Sequence, residues 1–304
     1  MRVFLTGGTG AIGRYALRSL VAAGHDVTAL ARTEAKAAEL KSAGARPVEV
    51  SIFDLDGLVA HFSGIEAVVN LATALPRTGD FPKISAWADN IKLRTQGSAT
   101  LVDAALRAGV PRFIQESVSM IYRDRGCDWI DEDWPTDDFP MAASNHAAES
   151  SAQRFTAAGG TGVILRLGWF YGPGARHSEE FFDLAKKWGL SIMMGAPNTY
   201  VSSIHVADAG SATAAALTAK TGVYNVTDDA PLTKRAFADA LAKAAGRTWY
   251  VRAPGRLAYL GGNSTTSLTR SLRVSNAHFK AETGWRPTYP SALEGFATLI
   301  SRDT

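Results

Sequence analysis

The chain has 304 residues and a net charge of +3, and 46% of its residues are hydrophobic against 20% charged. This composition suits one large or two small globular domains and excludes a disordered chain. Its apolar runs are shorter than the ~20 residues of a membrane span, and the single cysteine, Cys127, excludes an internal disulfide. We therefore expect a cytoplasmic protein without a signal peptide, a metal site, a membrane association or a nucleic-acid partner.

The first fifteen residues predict a strand, a glycine turn and a helix. Val3 to Leu5 is apolar, and an alanine-rich helical pattern begins near Ala11. Between them, Gly7, Gly10 and Gly13 fit the spacing T-G-x-x-G-x-x-G. Glycines at this spacing let the backbone approach a pyrophosphate, which then lies at the positive end of the helix. The stretch therefore predicts a dinucleotide site.

The end of the second predicted strand, Asp26 to Ala31, indicates which dinucleotide binds. An NAD site carries an acidic residue about twenty positions past the glycine loop, but this chain has Arg32 there. A guanidinium can hold a 2′-phosphate with two hydrogen bonds, with help from Lys36. We therefore predict NADP, although Arg32 could also be an ordinary solvated arginine.

Strand and helix signals alternate over the next part of the chain. A helix at 34–42, a strand at 47–50, a helix from an N-cap at Asp54 to Phe62 and a buried strand at 67–72 are predicted. The segment from Leu75 to Ile84 breaks this rhythm at the carboxyl end of a strand, where ligands bind. Further along, the predicted elements are helix 85–108, strand 112–117, helix 140–158, strand 163–167 and strand 223–226.

This pattern predicts an α/β protein with a Rossmann-type, doubly wound parallel sheet. The dinucleotide-binding domain is expected at 1–168 plus about 200–229. After Gly168 the composition turns to aromatic residues and glycines, and we expect a smaller C-terminal substrate lobe at about 169–199 plus 230–304. A small-molecule substrate would bind between the two. The predicted dinucleotide contacts are Gly7, Gly10, Ala11, Ile12, Gly13, Arg32, Leu71, Ala72 and Thr73.

Several motifs together resemble the extended and atypical short-chain dehydrogenase/reductases, a group that includes nucleotide-sugar epimerases and dehydratases. The motifs are TGGTGAIG (6–13), LAT (71–73), Asn90, RFIQESVSMIY (112–122), LRLGWFYGPG (165–174), IHVADAG (204–210), YNVTDDAPLT (224–233) and GWRP (284–287). The resemblance covers essentially the whole chain. It implies a seven-stranded cofactor domain, a small substrate domain and a homodimer formed through helices 85–108 and 140–158.

The chain departs from this family at the residues that carry its chemistry. The family uses a serine or threonine and a Tyr-x-x-x-Lys pair, in which the tyrosine moves the substrate proton. The resemblance puts Met141 at the tyrosine place, Asn145 at the lysine place and Val118 at the serine place. A shifted alignment or a loss of catalysis would also explain this pattern.

Replacement proton donors are sought at the end of the fifth strand, where Glu116, Ser117 and Tyr122 are the candidate catalytic residues, with Ser119 beside them. A buried Glu116 would have a raised pKa and could act as an acid or base. Further candidates are His146, His177 and His205, although His205 is expected to pack and Asp208 to cap the next helix.

The leading hypothesis is an NADP-dependent oxidoreductase that acts on a small organic substrate with a non-standard proton donor. One alternative is a non-redox isomerase, cyclase or lyase on the same scaffold. The other is a catalytically inactive regulator that senses a dinucleotide.

Overall fold

The computed structural model describes the backbone of residues 1–303 and the side chains of residues 1–300. Its centre is a seven-stranded sheet in which every neighbouring pair is parallel. The strands are β1 (Arg2–Thr6), β2 (Asp26–Leu30), β3 (Arg46–Val48), β4 (Ala67–Asn70), β5 (Arg112–Val118), β6 (Thr161–Leu167) and β7 (Gly222–Val226). Their order is β3-β2-β1-β4-β5-β6-β7. This is the predicted Rossmann-type fold, with the strand order reversing at β1 and β4.

Helices cover both faces of the sheet and connect its strands. They are α1 (Gly13–Ala22), α2 (Glu34–Ser42), α3 (Leu55–His61), α4 (Ala88–Lys92), α5 (Ser98–Arg107), α6 (Pro140–Ala157), α7 (Arg176–Trp188), α8 (Val206–Ala215), α9 (Lys234–Ala244), α10 (Thr266–Thr269), α11 (Ala277–Thr283) and α12 (Ala292–Gly295). The 3₁₀ segments are Thr78–Asp80, Ile84–Trp87, Ser119–Ile121, Ala216–Thr218, Gly255–Ser264 and Phe296–Asp303.

The sheet is buried because helices pack on both of its sides. All four residues of β4 are buried, as the continuous apolar run predicted. One apolar cluster joins Val3 and Leu5 to Leu17 and Leu20 of α1, and a second joins Phe4 to Leu101 of α5. Alternate residues of β1 thus serve opposite cores, as the strand period of two requires.

Side-chain capping fixes the start of several helices. Thr33 caps α2 by accepting from the Lys36 N–H, and Asp54 caps α3 by accepting from the Gly57 N–H. The prediction that Asp208 caps the following helix is wrong. His205 caps α8, while the Asp208 carboxylate accepts from the backbone N–H groups of Thr288 and Tyr289.

The predicted long helix 85–108 is not uniform. It consists of a 3₁₀ turn, α4, a π-helical segment at Leu93–Gly97, and α5. A π-helical segment inserts one extra residue per turn and changes which side chains face a neighbour, and such segments are common at functional sites. Arg94 lies in this segment.

Short strand pairs join the C-terminal part of the chain to the sheet region. They are Trp129–Ile130 with Arg273–Val274, Trp169–Tyr171 with Ser203–His205, Leu190–Ser191 with Val251–Arg252, and Tyr200–Val201 with Leu232–Thr233. A separate apolar cluster, with Tyr171, Phe182, Phe237 and Phe296 at its centre, packs α7, α9 and α12 together. Among the described helices, none is long and apolar enough to cross a membrane.

Candidate functional site

The turn between β1 and α1 is built so that only glycine fits at two positions. A Cβ atom on Gly7 would lie 2.4 Å from the Leu71 carbonyl oxygen, and Gly7 has a φ of +72°. A Cβ atom on Gly13 would lie 1.9 Å from the Gly7 carbonyl oxygen. Since α1 has no side-chain cap, its positive end is open to the charge of a ligand.

A polar network holds the loop that follows β4 against this turn. The Thr6 hydroxyl donates to Asn70 Oδ1 at 2.7 Å, and Asn70 Nδ2 donates to Gln115 Oε1 at 3.0 Å. Asn70 Oδ1 also accepts from the Ala72 N–H, and Asn90 Oδ1 accepts from the Ala74 N–H at 3.1 Å. Buried amides that are hydrogen-bonded in this way fix the two loops in one arrangement.

A cleft of about 390 Å³ runs from the glycine turn along the carboxyl edge of the sheet to α10. Of the predicted dinucleotide contacts, seven line it: Gly7, Gly10, Ala11, Ile12, Gly13, Leu71 and Thr73. Ala72 does not, because its N–H is bound to Asn70 and its side chain packs on the second apolar cluster. Arg32 is exposed just past β2 and lies outside the residues that line the cleft.

The cleft contains one buried ion pair, between Arg94 and Glu116. Arg94 Nη2 donates to Glu116 Oε1 and Oε2 at 2.9 and 2.6 Å, and Nη1 donates to the Glu116 carbonyl at 3.3 Å. Burial raises the pKa of the Glu116 carboxyl, and the Arg94 guanidinium opposes that shift. Among the described residues, Arg94 Nε has no hydrogen-bond partner. Glu116 thus lines the cleft as a candidate catalytic residue, but its carboxylate is paired with Arg94.

Ser117 and Tyr122 lie in a second buried network instead. The Ser117 hydroxyl donates to Glu149 Oε1 at 2.6 Å, and Arg166 binds both oxygens of that carboxylate at 2.9 and 2.7 Å. Arg166 Nη1 donates to the Tyr122 hydroxyl at 2.8 Å, which in turn donates to Asn225 Oδ1 at 2.8 Å. Burial raises the pKa of Tyr122 to about 12.

This network indicates a structural role for Ser117 and Tyr122. Both side chains are fully buried, and neither is among the residues lining the cleft. A hydroxyl held between an arginine and an amide has no route to a substrate in the cleft. The geometry therefore does not support the prediction that these two residues donate the proton.

The three residues that the motif resemblance puts at the serine, tyrosine and lysine places, Val118, Met141 and Asn145, all line the cleft. Val118 ends β5, and Met141 and Asn145 lie one turn apart at the start of α6. Asn145 Nδ2 donates to the Met141 carbonyl at 2.9 Å, while its Oδ1 is buried without a partner among the described residues. These three side chains offer no group that titrates near neutral pH.

The three candidate histidines do not replace the missing proton donor. His177 lies on α7, lines the cleft and contacts the Phe170 carbonyl with Nε2 at 2.7 Å. Burial lowers the pKa of His177 to about 4, and it does the same for His205. Half-buried His146 contacts the Asp137 carbonyl at 2.9 Å. None of the three lies beside Met141 as a ready replacement for a proton donor.

Aromatic rings form one wall of the cleft, which sequence reasoning missed. Phe81 lies 5.5 Å from Trp87 and 6.3 Å from Trp169, and Trp169 lies 5.0 Å from His177, between ring centroids. Phe81 comes from the segment that breaks the strand–helix rhythm after β4, which was the signal available, and Trp87 comes from the start of the predicted helix that follows. Such a wall suits a flat aromatic ligand, and it can also attract a cation.

A Rossmann-type sheet whose glycine turn opens into a cleft at the carboxyl edge defines the dinucleotide-binding class of α/β proteins. Within that class, the chain belongs to the NAD dependent epimerase/dehydratase family, which matches it over residues 3–227. This agrees with the resemblance drawn from the motifs.

Individual relatives extend this assignment. The chain is 32% identical to a 3-diazoavenalumate denitrifying reductase from Streptomyces sp. over 305 residues, which covers 97% of this chain and 99% of the relative. Other curated relatives are named as a ketoreductase and a dehydrogenase. The family and these names support an oxidoreductase-type enzyme.

Solved structures agree on the fold. A Thermus thermophilus UDP-glucose 4-epimerase in complex with NAD has a TM-score of 0.78 at 24% identity, covering 99% of this chain and 98% of that one. The human epimerase family protein SDR39U1 with NADPH has a TM-score of 0.78 at 22% identity, covering 99% of each chain. At this identity, the likeness shows the shared fold.

Proposed function

We propose that this chain is an NADP-dependent reductase of small aromatic electrophiles that need no proton from the protein. The observation that carries the proposal is the contrast within one cleft. The glycine turn for a dinucleotide is intact, while Val118, Met141 and Asn145 stand where the family carries its proton-moving groups. Such a site would bind the hydride donor but offer no side chain as a general acid.

The dinucleotide part rests on the residues of the glycine turn and on Arg32. The crowding at Gly7 and Gly13 supports close approach of a pyrophosphate to the backbone. Exposed Arg32 has no hydrogen-bond or ion-pair partner among the described side chains, so it is free to receive a 2′-phosphate. The bound nicotinamide would supply a hydride. Solved relatives carry NAD or NADPH, so the choice of NADP rests on Arg32.

The substrate class is inferred from chemistry that balances without an acid. The Streptomyces relative is named for a diazo substrate and for the removal of nitrogen. When an arene diazonium ion takes up one hydride, it yields the arene and N₂, while NADPH becomes NADP⁺. The hydride cancels the positive charge of the diazonium group, so atoms and charge balance with no proton added. We propose that this chain catalyses a reaction of that class.

The side chains of the cleft suit such a substrate. Phe81, Trp87 and Trp169 offer ring faces and edges to an aromatic cation. Val118 and Met141 add apolar side chains to the lining, which would limit the hydrolysis of a reactive electrophile. Glu116 is the only one of the three predicted catalytic residues that lines the cleft, and Arg94 holds its carboxylate in place.

A second candidate is the non-catalytic dinucleotide sensor, and the same missing acid favours it. The two differ in NADPH consumption. Purified protein is mixed with NADPH and 4-methoxybenzenediazonium, and NADPH oxidation and N₂ release are measured together. We expect one N₂ for each NADPH consumed, above the rate without protein. NADPH binding without turnover would favour the sensor, and consumption on ketones alone would contradict the diazonium assignment.

Three further parts of the proposal concern organisation. We propose that residues 1–168 plus about 200–229 form the dinucleotide-binding domain and the remainder the substrate lobe, and that the protein is cytoplasmic. We also propose a homodimer through α5 and α6, which the Arg154–Asp103 ion pair at 2.6 Å holds side by side. Light scattering of the purified protein tests the dimer, and a monomeric mass would refute it.

A further inference from the structure

A side chamber adjoins the cleft beside α10. The two spaces share four lining residues: Met120, Trp169, Ser267 and Leu268. The chamber holds about 40 Å³, compared with about 30 Å³ for one water molecule in the liquid. It therefore has room for one small polar group at the end of a ligand whose body lies in the cleft.

Lys234, the first residue of α9, lines this chamber and is only 3% exposed. Its Nζ donates to the Leu268 carbonyl at 2.8 Å, and within the described part of the chain no carboxylate lies within ion-pair distance of it. Burial lowers the pKa of Lys234 to about 8. An ammonium has three donors and is rarely buried without an anion, so this one is incomplete.

The neighbouring charged residues do not supply an anion to the Lys234 ammonium. Asp124 acts on Lys234 from a distance, but its carboxylate accepts from the backbone N–H groups of Gly126 and Ser271. Arg270 also lines the chamber, and its guanidinium is paired with Asp137. The N-terminal end of α9 adds positive potential at Lys234. The chamber is therefore positive.

A second donor lines the same chamber. Ser119 is 1% exposed, and its hydroxyl has no hydrogen-bond partner among the described residues. The absence of a side chain at Gly195 leaves space for the lysine, since a Cβ atom there would lie 2.4 Å from Lys234 Nζ. A buried ammonium with a single carbonyl acceptor, beside a buried hydroxyl without a partner among the described residues, points to a bound anion.

We propose that the side chamber binds the carboxylate of the substrate, with Lys234 as its counter-charge and Ser119 as a second donor. The inference rests on the proposed function for the aromatic body of the ligand, which would lie against Trp169 in the cleft. The substrate is then an aromatic acid, whose carboxylate and reacting end lie at opposite ends of the molecule.

Equilibrium binding tests this without turnover. Benzoate, cinnamate and 4-phenylbutanoate are titrated calorimetrically into the protein, with and without NADP⁺, and each is compared with its carboxamide. We expect at least one carboxylate to bind more tightly than its amide. Lys234→Met should weaken that carboxylate about 10- to 100-fold, the range for a hydrogen bond to a charged group, and leave the amide unchanged. Lys234→Arg should retain most of the preference.

Arg235→Met is the matched control, because Arg235 is the next residue of α9 and lines a different pocket. It should leave carboxylate binding unchanged. An equal loss in Arg235→Met, an unchanged affinity in folded Lys234→Met, or a wild-type protein that binds no carboxylate in preference to its amide would each overturn the inference. If the diazonium reaction fails but carboxylate selectivity depends on Lys234, the proposed function fails and the chamber assignment stands.

Discussion

Asn145 donates from Nδ2 to the carbonyl oxygen of Met141, one turn earlier on α6, at 2.9 Å. The amide thus turns back on its own helix at the position that the motif resemblance assigns to a lysine. The resemblance implies an ammonium at that position, which lowers the pKa of the tyrosine, whereas here an amide bonds to a backbone carbonyl. We therefore predict that substitutions at these two positions can give the cleft a proton donor.

The double substitution Met141→Tyr with Asn145→Lys should introduce carbonyl reduction. General acid catalysis typically contributes about 10²- to 10⁴-fold, so we expect NADPH-dependent reduction of an aromatic ketone to rise at least about 10-fold. The measurement is NADPH oxidation with acetophenone. Each single variant is the control, because a tyrosine without the lysine keeps a high pKa. A double variant that binds NADPH and shows no gain would contradict the role assigned to this wall.

Gly13→Ala should abolish dinucleotide binding. The added Cβ atom would lie 1.9 Å from the Gly7 carbonyl oxygen, so the turn must move. Overpacking of this kind costs about 1–3 kcal/mol, and we expect the melting temperature to fall together with NADPH affinity. Gly79→Ala is the control, because a Cβ atom there meets nothing within 4 Å. NADPH binding at wild-type affinity in Gly13→Ala would count against the site.

Arg32→Asp should change the choice of cofactor without changing the fold. Its carboxylate would repel a 2′-phosphate and accept from ribose hydroxyls, so NADPH should bind at least about 10-fold more weakly while NADH binds equally or better. Fluorescence titration with both dinucleotides measures this. Equal weakening of the two would refute a role for Arg32 in binding the phosphate.

Tyr122→Phe should lower stability more than activity. The substitution removes the partner of Arg166 Nη1 and of Asn225 Oδ1, while Arg166 keeps Glu149, and it costs about 1–3 kcal/mol of the free energy of unfolding. Because the hydroxyl does not reach the cleft, kcat should change by less than about threefold. Denaturant unfolding and NADPH kinetics give the two quantities. A 100-fold loss of kcat in a stable variant would restore Tyr122 as the proton donor.

The charge of Lys234 should make stability depend on pH. Its folded pKa of about 8 is below its unfolded value of 10.5, so between these pH values the unfolded chain binds more protons. The lysine therefore costs stability below pH 8, and the cost disappears as pH rises towards 10.5. Relative to Lys234→Met, the wild-type protein should gain about 3 kcal/mol across this window.

Denaturant unfolding of both proteins from pH 7.5 to 10.5 checks this, and the difference between them cancels the titration of the tyrosines. Saturating a protein with a carboxylate ligand should reduce the difference, because the anion favours the charged lysine. A constant difference across the window would mean that the folded pKa is not lowered.

Much of the fold was readable from the sequence, because its signals are local. The helix predicted at 34–42 is α2 with the same bounds, since Thr33 caps its start and Gly44 follows its end with a φ of +91°. The glycine spacing identified the turn after β1 for the same reason. The motifs also identified the family, and they put Met141 and Asn145 at two positions that the structure places on the cleft.

The contacts that decide the candidate chemistry were not readable, because they join residues far apart in the chain. Ser117 meets Glu149, which is 32 residues later, and Tyr122 meets Asn225, which is 103 residues later. These pairings bury two candidate donors that looked accessible at a strand end. The π-helical segment brings Arg94 to Glu116, and α9 brings Lys234 to Leu268.

The sequence by itself therefore determined the parallel sheet and the glycine turn, because each depends on residue types at short spacing. Only the tertiary structure decided which polar groups reach the cleft, that aromatic rings form its wall, and that a buried lysine lines a chamber beside it. Burial and ion pairing set the protonation and availability of a side chain. Both depend on neighbours that only the folded chain brings together.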